Sequence, residues 1–405
     1  MATKRFIGGL AAVAQVDTLT PGGTIEAGDL FKITLTDERG DTYTLSVAAT
    51  GTTVAQTCQD IITAFNACGD PRFTKITAAG VGSVGSYTAV TLTADTAGEP
   101  FYCAVETTEA GGGAADDQTF NRTATTASSG PYDFNLTGNW LDGSLPVDSD
   151  TVYIDNIVKY GLAQSAIQPA YLKITKQVGE YPASGMLGAY LAIGAAIVDI
   201  DVSTGPVLVD TGTDASVITV FNSPAASYTN TPVVWIKAND NATTIAVRKG
   251  VVGVGFGDGE TTTINKVDVL YTTQKSSDST VYIGDGVTFD GTTPKVNQKG
   301  GALTLRSAAA VAEVNSDDGT LITEGSFAIT ALNVKRAAVT SNSSGTITTA
   351  NLLSTGTLDT LKSNTARTIT TLNMYPGATF KKNYIVTVTN PIVFSESMSI
   401  AAQAA

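Results

Sequence analysis

Paired carboxylates are the residues of this chain best able to do chemistry. Asp148 and Asp150, Asp199 and Asp201, and Glu260 with Asp268 lie close enough in sequence to share one surface. Two such groups flanking a glycosidic bond, one protonated as acid and one ionised as base or nucleophile, can hydrolyse it. Other routes are closed, because none of the 405 residues is histidine. That excludes a Ser-His-Asp or Cys-His triad, a His-ligated zinc and an imidazole general base. Cys58, Cys68 and Cys103 form an odd set without a CxxC spacing. They read as small buried hydrophobes, not as a disulfide framework or a metal site.

Each remaining motif has a plainer reading. The glycine-rich stretch 250–260 has neither a Gly-Lys-Ser/Thr ending nor a following helical pattern, so it reads as a corner and not as a phosphate loop. The Asp-rich stretches 284–291 and 315–320 lack the spacing and terminal Glu of an EF-hand and read as Asp-Gly turns. Four Asn-x-Ser/Thr sequons, at Asn121, Asn135, Asn241 and Asn342, occur in a chain rich in those residues. A net charge of −13 would repel a phosphate backbone, so nucleic-acid binding is not expected. The apolar part of residues 6–16 is short, Gly-rich and followed by Asp17, which argues against a secretory leader. No apolar run reaches the ~20 residues of a membrane span. Sugar-cleaving grooves usually offer stacking aromatics, and after residue 138 only Trp140, Trp235 and scattered tyrosines could supply them. No catalytic residue and no cofactor is therefore expected.

The elements that must carry these side chains are mostly strands. Forty glycines, abundant Thr and Val and only 15% charged residues describe a β-rich chain with many tight turns. From residue 21 to 110 a small α+β domain of order ββαβββ can be read. Phe31, Ile33 and Leu35 alternate, the chain turns at Glu38–Asp41, and Tyr43, Leu45 and Val47 alternate back. Thr52 or Thr53 then caps a helix on which Val54, Cys58, Ile61, Ile62 and Phe65 share one face, and Gly69 and Pro71 stop it. Strands are predicted at 73–78, 87–94 and 100–107, with the helix covering one face of a single sheet. Residues 1–20 read as an N-terminal arm and 111–138 as a linker.

From 139 to 394 short apolar bursts recur between Gly, Asn, Asp, Ser and Thr, the pattern of a solenoid. Its clearest copies begin at Ile329, Ile347 and Ile369, 18 and 22 residues apart, with a looser copy at Ile264–Val269. In a right-handed parallel β-helix each coil advances one strand spacing of ~4.8 Å, so equivalent residues stack. Leu332, Ala350 and Leu372 would form an inward column. Asn333, Asn351 and Asn373 would form an amide ladder along the axis. Trp140, ahead of Pro146 and Asp150, is placed to cap the exposed first coil. Residues 395–405 read as a C-terminal tail.

Several longer stretches, residues 22–67, "TLTADTAGEPF" at 91–101, "TTEAGGGAADDQTF" at 107–120, "GNWLDGSLPVDSDTVYIDN" at 138–156 and "YLAIGAA" at 190–196, carry a resemblance. The chain resembles largely uncharacterised virion structural proteins of tailed bacteriophages and prophages, which pair a small α+β domain with a β-helix. The resemblance implies a virion structural protein, and the leading expectation is a non-enzymatic capsid decoration or head-fibre protein, located in the virion and assembled in the host cytoplasm. The alternatives are a tail fibre or tailspike receptor-binding protein, with or without activity that cleaves a host-surface glycan, and a bacterial surface adhesin. Expected partners are other virion proteins, met through the N-terminal arm and domain, and further copies of the chain, a trimer by analogy with phage fibres. Neither nucleic acid nor membrane is among them.

Overall fold

A computed structural model describes the chain except for residues 1, 37–40, 110–116, 162–166, 177–190, 203–206, 224–231, 233, 256–260, 271–278, 291–294, 394–398 and 403–405. Most of the predicted turn at 38–41, most of the Gly-rich stretch at 109–117, the end of the 250–260 corner and part of the C-terminal tail lie outside the described residues. The chain divides into two units, Ile7–Gly143 and Met1–Phe6 with Ser144–Ala405.

The Ile7–Gly143 unit is the small α+β domain, built on two antiparallel sheets where the sequence suggested one. The first runs in the order Ile76–Val81, Ala89–Ala94, Val16–Gly23, Gln118–Thr126, and the second in the order Thr42–Ala48, Leu30–Thr36, Tyr102–Thr108. Two of these strands fall where an arm and a linker were expected. Val16–Gly23 and Gln118–Thr126 pair with each other across eight registered positions. Their Thr, Asn and Arg side chains lie at exposed or half-buried positions, which hides the alternation from a reader of the sequence. A fully buried Asp17 locks the pair by accepting a 2.6 Å bond from Arg122 Nε, and that carboxylate holds the guanidinium above its usual pKa.

The helix Val54–Asn66 starts where Thr53 Oγ1 accepts the Gln56 amide, and it buries Cys58, Ile61 and Phe65. These meet Phe31, Ile33, Leu35, Phe73, Val90 and Leu92 in one core. Burial pushes the Cys58 thiol up to about 11 and that of Cys103 to about 12, so both behave as apolar core groups. Trp140 also belongs to this unit. Its ring packs edge-on to Phe134 at 4.9 Å, and Nε1 donates to the Phe134 carbonyl.

Among the described residues, the rest of the chain is a parallel β-solenoid of two long sheets, one of 13 strands and one of 11, with a two-stranded pair, Thr262–Ile264 and Val287–Phe289. The strand Thr3–Phe6 lies parallel to Thr151–Ile154, with Phe6 opposite Ile154, and forms the end of the 13-stranded sheet. The whole Ile7–Gly143 unit is thus an insertion between the first solenoid strand and the rest. Asp150 secures this arrangement, its buried carboxylate accepting the Ala2 and Val147 amides. At the other end, Ser399–Ala402 pairs with Thr379–Lys382, so a strand falls where an unstructured tail was expected.

Within the stack, register is strict. Val152, Leu172, Val198, Ile218, Ile245, Val267, Val296, Val314, Leu332, Ala350 and Leu372 form one buried column. Two glycine positions show how closely the coils approach. Gly319 takes φ +91, and a Cβ there would lie 2.3 Å from the Gly301 carbonyl oxygen of the coil below. Gly253 stands opposite Trp235, and a Cβ on it would come within 2.0 Å of the indole ring.

Candidate functional site

The outer face of the 13-stranded sheet presents polar side chains that bond from coil to coil, and alternation dictates which residues reach it. At its C-terminal half the outward, half-buried position after the buried Leu332 column is asparagine in coil after coil. Asn373 Nδ2 donates to Asn351 Oδ1 at 2.7 Å, Asn351 to Asn333 at 2.6 Å, Asn333 to Asn315 at 2.7 Å and Asn315 to Asn297 at 2.8 Å. Asn297 ends the series by donating to Asp268 Oδ1 at 2.8 Å. All the amides point the same way, so their dipoles add, and a carboxylate accepts the last bond.

Asn333, Asn351 and Asn373 therefore stand in one registered column, as do Ile329, Ile347 and Ile369, which are buried. The sequence reading missed Asn297 and Asn315. Their coils read Lys-Val-Asn-Gln and Glu-Val-Asn-Ser, without the flanking Ile and Thr of the copies. The signal was present in the spacing, since Asn297, Asn315, Asn333 and Asn351 recur at intervals of 18.

Ion pairs between adjacent coils repeat that interval. Lys295 meets Glu313 at 3.3 Å, Lys299 meets Asp317 at 2.6 Å and Arg306 meets Glu324 at 2.7 Å. Each is solvated and contributes little alone, but together they set coil-to-coil charge complementarity. Glu313 also accepts from Asn315 Nδ2, and this bond, followed by Lys295, holds its carboxyl below the usual range.

The N-terminal coils carry a different cluster. Arg5 lies over the Tyr153 ring at 4.3 Å and pairs with Asp155, while Tyr153 meets Tyr171 edge-on at 6.0 Å. Tyr171 donates to Asp199 at 2.8 Å, and burial together with that carboxylate pushes its phenol up to about 12. It is a neutral donor at ordinary pH, not a base.

The carboxylates proposed as acid–base partners are dispersed in structural roles. Asp150 holds the N-terminal strand. Asp148 accepts the Gln168 amide, Asp199 accepts from Tyr171, and Asp268 ends the ladder and pairs with Lys266 at 2.6 Å. Asp201 is exposed, and Glu260 lies outside the described residues. In the Ile7–Gly143 unit a cleft of about 210 Å³ is lined by Leu35, Arg72, Ile76, Phe101 and Tyr102. Arg72 is engaged with Asp70 at 2.9 Å, and that bond lowers the Asp70 pKa.

The geometry defines a β-solenoid whose polar side chains on this face bond chiefly to those of neighbouring coils. Comparison with protein-family models, with curated proteins and with solved structures gave no match.

Proposed function

We propose that the chain is a non-enzymatic structural component of a bacteriophage virion, a capsid decoration or head-fibre protein whose β-solenoid forms a rigid projection. The observation that carries this reading is the ladder running from Asn373 to Asp268. It places a continuous line of hydrogen bonds along the axis, where a load-bearing rod gains from it, and it ties up side chains that a binding or catalytic groove would keep free. The resemblance of residues 22–156 to phage structural proteins supplies the biological setting.

A second reading, a tail fibre or tailspike that holds a host-surface glycan, draws support from the outward Arg5, Tyr153 and Tyr171 cluster. The two readings separate on incubation of purified protein with host surface polysaccharide. The structural reading expects no release of reducing ends. Release that disappears in Asp199→Asn or Asp268→Asn protein would overturn it.

A further inference from the structure

We infer that the Ile7–Gly143 unit holds a divalent cation, Ca²⁺ by preference, between Glu26, Asp29 and Glu109. One carboxylate oxygen from each lies within 4.8 Å of one from each of the others. Strand register explains the convergence. Leu30 pairs with Thr108 in an antiparallel ladder, so Asp29, which precedes the one, stands across from Glu109, which follows the other. Like charges opposite one another at a sheet end are destabilising unless something neutralises them. Glu26 joins them through the turn that leads into the strand, in which Asp29 Oδ2 accepts the Glu26 amide at 2.8 Å.

Asp29 supplies an independent indication. It is fully buried, and its Oδ1 has no hydrogen-bond partner among the described residues. A buried carboxylate oxygen without a donor costs several kcal/mol unless a charge compensates it, and neither Asp29 nor Glu26 has an ion pair with a Lys or Arg among the described residues.

The donor set selects the ion. Three carboxylates without nitrogen or sulfur suit a hard cation and not zinc. Oxygens up to 4.8 Å apart place a central ion at most about 2.8 Å from each, a slight contraction away from the Ca–O range and a much larger one from that of Mg²⁺. The ion would clamp the end of the strand Tyr102–Thr108 to the turn before Leu30–Thr36. No sequence motif announces it, because its ligands are drawn from residues 26 to 109.

The test is isothermal titration of full-length, chelator-stripped protein with CaCl₂, and separately with MgCl₂, joined to thermal unfolding with and without 1 mM Ca²⁺. The expected result is one Ca²⁺ per chain and a rise of about 3–6 °C in the unfolding transition of this unit. Asp29→Asn, which keeps an acceptor for the Glu26 amide, should weaken binding at least tenfold. Glu109→Gln, on a partly exposed side chain, should do the same with the fold intact. Absence of both heat and thermal shift at 5 mM Ca²⁺, or binding unchanged in the two variants, would overturn the proposal.

Discussion

Asn333→Ala removes the middle of the asparagine ladder and has a calculable local effect. The side chain makes two ladder bonds, one donated to Asn315 and one accepted from Asn351. A partly buried amide bond contributes roughly 1 kcal/mol net, so the substitution should weaken its coil by about 2 kcal/mol. Asn373→Ala, at the end of the series, removes a single bond and should cost about half as much. A solenoid is stabilised coil by coil, so the loss should stay local. Hydrogen exchange followed by mass spectrometry reads it there: amides of Val311–Ser316, Ile329–Val334 and Ile347–Leu352 should exchange about 30-fold faster. Amides of Ile7–Gly143 should be unchanged and serve as the internal reference. Asn333→Asp sharpens the test, because an ionised carboxylate can accept from Asn351 but cannot donate to Asn315. Its defect should exceed that of alanine at pH 7 and shrink as acid restores a donor. A change below twofold in the three strands, or equal acceleration in both units, would refute the ladder's role.

Two further perturbations probe the interior and the opposite sheet. Gly253→Ala places a methyl group in the space of the Trp235 ring. It should cost about 1–3 kcal/mol and red-shift Trp235 emission in a Trp140→Phe background, whereas an unshifted spectrum would show that the ring does not depend on the missing side chain. Arg367 is 4% exposed, bonded to Ser341 and Ser363 and, among the described residues, paired with no carboxylate. Burial drives its pKa down to about 10. The folded state thus binds its proton less tightly than the unfolded state, so the charged form penalises the fold at every pH below about 10, and stability from this group rises only above it. Arg367→Met should leave the unfolding temperature at pH 7 unchanged or raise it by the equivalent of up to ~2 kcal/mol, and a marked fall would contradict the assignment of an uncompensated charge.

The sequence made the solenoid legible where successive coils repeat the same strand sequence. Ile329, Ile347 and Ile369 stand in register and open the same alternation, so period and inward column could both be read. The ladder was legible only where its neighbours also matched, which is why Asn333, Asn351 and Asn373 stood out while Asn297 and Asn315 did not. The N-terminal covering strand was hidden for a different reason. Thr3–Phe6 is four residues long, and its partner Thr151–Ile154 lies across an inserted domain, so no local pattern links them. Trp140, a large aromatic ahead of a Pro-containing turn, packs edge-on to Phe134. The strands Val16–Gly23 and Gln118–Thr126 escaped notice because Thr, Asn and Arg stand there at many positions in place of aliphatic residues. The converging Glu26, Asp29 and Glu109 could not be found without knowing that Leu30 faces Thr108.

The proposed architectural role in a virion is tested most directly by cryo-electron microscopy of phage particles purified from the host whose genome carries the gene for this chain. The structural reading predicts multiple copies, each with a narrow rod of density into which the parallel stack from Thr151 to Lys382 fits. It also predicts that the Ile7–Gly143 unit touches a neighbouring particle protein. Mature particles that lack the chain, both in the map and in their peptide content, would contradict it.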